Sequence, residues 1–146
     1  MTCPSVRCQP AIIAHAVAAS GPVSPRVAAE LGDGLFATQP DGDLVTGWRK
    51  LGGSGPAYAE MPLAWATDEH AAACAVTTQQ AKARFACGPD VGRHLEVARQ
   101  FADTGIDHLV AMNAGPDPDG FMDFFAGQLA EPLRALEPGD GVRDQG

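Results

Sequence analysis

Ser20-Gly21-Pro22 is the stretch of this sequence best equipped to hold an anion. An apolar run precedes it and a helical pattern follows it. A glycine-containing turn from strand into helix offers unpaired N–H groups and a partial positive charge. Gly21 lets the backbone approach a ligand, Ser20 can donate its hydroxyl, and the first-turn amides of Val23 and Ser24 are expected to point outward. Such a turn can equally do no more than connect strand to helix, so both roles stay open. Thr38 closes a second short apolar run, at the strand end where barrel enzymes assemble their sites, and is just as well suited to capping a helix.

The other reactive side chains are scattered. His15 lies inside the first apolar run and reads as a core histidine. His70 and His94 fall on helix faces whose spacing predicts exposure, and His108 comes early in its strand, remote from the site-bearing end. Asp117 and Asp119 flank Pro118 and read as turn and capping residues rather than as an acid/base pair. No Ser-His-Asp set or metal-ligand cluster emerges, and nothing here performs group transfer by itself. Cys3 and Cys8 lack the CxxC spacing of a zinc site, and with Cys74 and Cys87 they read as thiols of a reducing cytoplasm.

The elements that would position these residues alternate. Ile12 to Ala19 is a nearly continuous apolar run, as in strands buried on both faces. Pro22 or Pro25 suits the first turn of a helix carrying Val23, Val27, Ala28 and Leu31, with Gly32 as its C′ residue. Leu35 to Thr38 is a second strand, and Asp41 can cap a helix to about Lys50. A third strand lies between Tyr58 and Ala66, although Pro62 counts against it, and an Ala-rich helix with a weak interior at Thr77 to Gln80 spans about 68–85. After the Cys87-Gly88-Pro89-Asp90 turn, Asp90 caps a helix with an apolar face at Val91, Leu95, Ala98, Phe101 and Ala102, ending at Gly105. Ile106 to Met112 is the fourth strand, and a last helix runs from Phe121 to Leu136 before a polar tail at 137–146. Four strand–helix units in series indicate parallel strands with right-handed crossovers. Eight would close a barrel, so four make either a small open α/β sheet or half of a barrel.

Length and composition set the outer limits. The chain has 146 residues, 45% of them hydrophobic, which fits one domain with a sizeable core. A net charge of −8 argues against general affinity for nucleic acid. No apolar run reaches the length of a membrane span. Met1 to Ser20 loosely imitates a secretory signal, but Arg7 is a weak n-region, His15 interrupts the apolar run, and the run is better used as a strand.

Several segments, taken together and in order, resemble the luciferase-like oxidoreductases, in particular the branch dependent on the deazaflavin coenzyme F420 that includes the glucose-6-phosphate dehydrogenases. They are Ala18 to Pro22, Ala29 to Thr38, Cys87 to Asp90, Gly105 to Val110 and Phe121 to Phe125. The resemblance covers about 12–136 and leaves 1–11 unmatched. It implies the C-terminal half of a (β/α)₈ TIM barrel, with F420, or FMN as the alternative, at the C-terminal ends of the strands.

On that resemblance the phosphate of the cofactor falls to Ser20, Gly21, Val23 and Ser24, and Thr38 faces substrate. Three positions beyond Thr38 the sugar-phosphate enzymes place a lysine, where this chain has Asp41, which argues against glucose 6-phosphate. The family's catalytic residues come from the first four strands, which the matched segments do not include. Two functions follow as expectations. One is an F420- or flavin-dependent oxidoreductase acting on a small molecule, completed by a matching N-terminal half-barrel. The other is a catalytically silent cofactor- or phosphate-binding module. An open half-barrel exposes sheet edges, so a homodimer is expected as well as the complementing half.

Overall fold

The computed structural model describes residues 14–68 and 86–137. Five strands form one parallel sheet: β1 (Ala16–Ala19), β2 (Gly34–Ala37), β3 (Ala57–Ala64), β4 (Ala86–Cys87) and β5 (His108–Asn113). The helices are α1 (Ser24–Leu31), α2 (Gly42–Lys50), α3 (Val91–Asp103), α4 (Pro118–Phe124) and α5 (Ala130–Arg134), with a π-helical turn over Phe125–Leu129 between the last two. This is the parallel α/β architecture that the strand–helix alternation predicts, and it is consistent with a partial barrel.

Hydrogen-bond direction fixes how the strands share β3. Even-numbered residues of β3 and its approach face β2 and β4: the carbonyls of Pro56 and Ala64 accept from Leu35 N (3.1 Å) and Gly88 N (3.0 Å). Odd-numbered residues face β5, with Ala57 O and Leu63 O accepting from Asp107 N (2.9 Å) and Ala114 N (2.7 Å). Pairing with β2 ends at Ala59, and pairing with β4 begins at Leu63. Between them the sheet has a gap, and Pro62 faces it. A proline has no N–H to leave unpaired there, which is why it is tolerated inside this strand.

The alternation of β3 sorts its two faces. Ala57, Ala59, Met61 and Leu63 are fully buried against the helices, whereas Tyr58, Glu60 and Pro62 are half-buried on the opposite face. Alanines on the helix side let the helices approach closely. The core they form also takes Leu35 and Ala37 from β2, Trp48 from α2, Ala98 and Phe101 from α3, and Phe121, Phe124 and Leu129 from the C-terminal helices.

At the N-terminal end of the sheet the loops are tied by charge. Arg49 Nη1 donates to the carbonyls of Gly53 (3.2 Å) and Gly55 (2.7 Å), and its Nη2 lies 3.2 Å from Asp107 Oδ2. The same carboxylate oxygen accepts from Ala57 N (2.9 Å). One guanidinium thereby holds the α2–β3 loop against the α3–β5 loop, a stabilising arrangement at the end of the fold remote from the strand C-termini.

Several sequence expectations need correction. His15 is exposed and precedes β1 instead of sitting in a buried strand. Its Nδ1 is 3.2 Å from Asp33 Oδ2 and its Nε2 is 2.9 Å from Leu31 O, so the ring ties down the α1–β2 turn. His94, expected on an exposed face, is fully buried. The inward stripe of α3 is His94, Ala98 and Phe101, rotated from the stripe of purely apolar residues, because the imidazole finds a carbonyl to bond. Gly32 ends α1 in an extended conformation, φ −101°, and not a left-handed one. What requires glycine there is space, since a Cβ would meet Val17 Cγ2 at 2.8 Å and Ala28 O at 2.9 Å.

The expected single last helix is interrupted by the π-turn. Pro132 cannot donate to a carbonyl four residues back and its ring crowds that turn, so the ladder widens just before it. The fourth expected strand begins later, at His108, with Ile106 buried in the loop before it, and β4 is an addition that the turn residues concealed. The expected helix over 68–85, Ile12-Ile13, His70, the tail and Cys3, Cys8 and Cys74 lie outside the described residues, apart from Asp68 and Glu137 at the margins.

Candidate functional site

The C-terminal ends of β1 and β2 lie side by side, since Ala19 pairs with Ala37. The loops leaving these strands are the Ser20 turn and the Thr38–Asp41 loop. In the first, Gly21 has φ +77°, a left-handed conformation that side-chain-bearing residues rarely adopt. A Cβ built there would meet nothing within 4 Å, so the space above the turn is open. Ser20, Gly21 and Val23 are exposed and Ser24 is half-buried.

The turn is held by Ser24 itself. Its hydroxyl donates to Ser20 O (2.6 Å) and accepts from Ser20 N (2.7 Å). That clamp commits the Ser24 side chain and leaves its amide as its contribution to an anion. No side chain caps the N-terminus of α1, where Val23 occupies the N-cap position. Pro25 has no N–H and Arg26 N already donates to Val23 O (3.2 Å), which leaves the Ser24 amide, and that of Val23 before it, to an anion. The arrangement offers an anion backbone groups rather than a cation.

Thr38 is exposed just past the end of β2 and lines a cleft of about 720 Å³. One wall is the loop Thr38 to Asp43, the other is α3 through Arg93, Glu96, Val97 and Gln100, and Pro62 and Phe101 also line it. The cleft opens beside the gap between β2 and β4. Asp41 caps α2 by accepting from Leu44 N (3.1 Å), so its carboxylate serves the helix as well as the cleft. Asp41, Asp43 and Glu96 face a single cation, Arg93, which makes the cleft acidic on balance.

Sequence reasoning found Thr38 and the acid at Asp41 but missed the α3 wall. Arg93, Glu96, Val97 and Gln100 follow helical spacing and were legible as one face. What was not legible is that α3 packs across from the β2–α2 loop, because that depends on β4 bringing the chain back against β3.

A third polar arrangement surrounds the end of β3. Asn113 Oδ1 accepts from Trp65 N (3.1 Å) and Gly115 N (2.9 Å), joining the ends of β3 and β5. The Trp65 ring stacks on Phe124 at 5.5 Å, and His94 approaches the same phenyl ring at 5.4 Å. His94 Nε2 lies 2.8 Å from Gly88 O, which assigns the proton to that nitrogen, and Nδ1 has no hydrogen-bonding partner. Burial lowers the pKa of His94 below 6.5, outweighing the Gly88 bond and the attraction of Asp90 that favour the charged form. The neutral ring is a structural pillar beneath the Asp90-capped start of α3, whose cap accepts from Gly92 N at 2.9 Å.

Among the described residues no group of three or more His, Cys, Asp or Glu side chains is placed to hold a metal ion, and no helix is long and apolar enough to cross a membrane. No protein-family model matches the chain, and no curated protein matches it in sequence. Solved structures do match it in three dimensions. One is an F420-dependent secondary alcohol dehydrogenase in complex with an F420–acetone adduct, with TM-score 0.61 and 16% identity, covering 74% of this chain and 45% of that one. Another is the coenzyme F420-dependent tetrahydromethanopterin reductase from Methanopyrus kandleri, with TM-score 0.60 and 12% identity, covering 80% of this chain and 50% of that one. At these identities the likeness is one of fold: the chain has the parallel α/β architecture of two F420-dependent enzymes and spans about half the length of each.

Proposed function

We propose that this chain is the cofactor-phosphate-binding half of an F420-dependent oxidoreductase of the luciferase-like type, matching the C-terminal half of such a barrel. The observation that carries the proposal is the juxtaposition at one sheet end of an open, uncapped, glycine-containing turn and a cleft lined by Thr38, on a fold shared with F420-dependent enzymes. Ser20, Gly21, Val23 and Ser24 would hold the cofactor phosphate, the backbone amides doing most of the binding and the Ser24 hydroxyl keeping the turn in shape. When bound, the deazaflavin supplies the hydride chemistry, and the protein supplies position. FMN carries a phosphate that the same turn could take, and is the alternative cofactor.

Substrate would enter the Thr38 cleft. Its excess of carboxylates disfavours a phosphorylated ligand and suits a neutral, hydroxyl-bearing small molecule. The residues that complete catalysis would come from the other half of a barrel, and the role is that of a cytoplasmic enzyme component.

Titration of the purified chain with F420, followed by the fluorescence of the deazaflavin and repeated with FMN, tests the reading. Saturable binding that inorganic phosphate competes away supports it. A chain that binds neither cofactor, alone or when supplied with an N-terminal half-barrel, removes the basis for the proposal.

A further inference from the structure

We propose that His94 is an acid-sensitive latch on the Thr38 cleft: a neutral ring holds α3 in place as the wall of that cleft, and a protonated ring releases it. The latch rests on packing alone. Its bearing on substrate rests on reading the cleft as the substrate site.

α3 meets the rest of the fold along one stripe, His94, Ala98 and Phe101, all buried. Arg93, Glu96, Val97 and Gln100 lie beside that stripe and form one wall of the cleft, and Phe101 belongs to both. Arg93 directly precedes His94 and Val97 lies one turn beyond it, so whatever shifts this ring shifts the wall. The opposite wall is anchored separately. Its loop is tied to α2 by Asp41, which accepts from Leu44 N at 3.1 Å.

Only one charge state of the ring suits its surroundings. Nε2 donates to Gly88 O at 2.8 Å, whereas Nδ1 is buried without a hydrogen-bonding partner. Protonation would add an N–H that has no acceptor and a charge on a side chain fully out of water. The elements packed on α3 are β3, β4, the π-turn and α5. β3 carries Glu60 on its other face, β4 carries the Cys87 thiol beside Gly88, and the π-turn carries no ionisable side chain. On α5, Glu131 and Arg134 pair with each other. On α4, Asp119 and Asp123 are exposed, and it is Phe124 that meets the ring, at 5.4 Å. Asp90 favours the charged form and Arg93 opposes it, and burial outweighs both.

The sign of the effect follows. With α3 in place the ring resists a proton, and with α3 lifted the ring stands in water and takes one below its ordinary value of 6.5. The latch is therefore closed above that pH and weakens as the pH falls. Between about pH 7.5 and about pH 5.5 the open population should rise about tenfold, the limit for one group that titrates near 6.5 only when open. A substrate touching both walls favours closure, and by reciprocity acid weakens its binding.

Amide hydrogen exchange of the free chain, corrected for its intrinsic pH dependence, reads the latch without any cofactor. Protection from Leu95 to Phe101 should fall about tenfold between about pH 7.5 and about pH 5.5, while protection in α2 stays level. The backbone amide signals of Thr38 to Asp43 should shift with the same midpoint as the carbon-13 signal of the His94 ring. His94→Gln keeps a donor for Gly88 O but has no proton to take up, so both responses should vanish in it. If that variant does not fold, the contrast between α3 and α2 in the wild-type chain decides. Equal losses in both helices, unchanged protection of α3, or a His94→Gln chain that responds like wild type overturns the latch. A chain that shows these responses yet binds no F420 keeps the latch and loses the cofactor reading.

Discussion

Gly21 and His94 show how differently a residue's role can be read from sequence. Gly21 was legible as the turn residue, and the structure adds that its glycine character serves conformation, with open space where a side chain would go. Gly21→Val should therefore weaken F420 binding at least tenfold by intruding on the phosphate, while costing about 1–2 kcal/mol of stability for the left-handed strain. Isothermal calorimetry beside thermal melts separates the two effects, and unchanged affinity would mean that the phosphate lies elsewhere. His94 was misread because the spacing of the apolar residues of its helix put it on the outer face, whereas one backbone carbonyl sufficed to bring the ring inside. Its lowered pKa has a definite sign. The unfolded chain takes up a proton below 6.5 that the folded ring resists, so the stability contribution is present above that pH and is lost as the pH falls. Between about pH 7.5 and about pH 5.5 the melting temperature of wild type should fall more than that of His94→Gln, whose amide can still donate to Gly88 O. Equal slopes would show that the ring takes its proton in the folded state.

The helix starts were the most legible elements, since a carboxylate before an apolar pattern has a direct physical use. Asp41, Asp90 and Asp117 each accept from a backbone amide of the first turn. Asp41→Ala should cost about 1 kcal/mol through loss of the cap, and Asp41→Asn only a few tenths. Because Asn keeps the cap and removes the charge, it also separates the two uses of this side chain. Urea denaturation reads the first use, and the affinity of the cleft for a phosphorylated ligand, which should rise in Asp41→Asn, reads the second. Strand ends were legible to within a few residues, and Pro62 argued against β3 only because the interruption in its neighbours cannot be read locally. The same holds for the π-turn before Pro132, where the proline was visible but the way the backbone absorbs it was not.

At the scale of the molecule, alternation of strands and helices was enough to specify a parallel sheet, and the match to two F420-dependent enzymes agrees with it. What alternation could not specify is how the α3 wall meets the Thr38 loop, which depends on contacts between distant segments.

The break between β2 and β4 has a chemical consequence for whatever enters the cleft. At Pro62 the main chain lining that space has no hydrogen to give, so the strand can receive but not donate there. A ligand group that hydrogen-bonds the main chain at this residue has to be the donor. Alcohols, amines and water meet that condition, whereas a bare carbonyl, ether or phosphate oxygen does not. At this one point of the lining the direction of hydrogen bonding is set by the backbone, while donors come from side chains such as Thr38, Arg93 and Gln100.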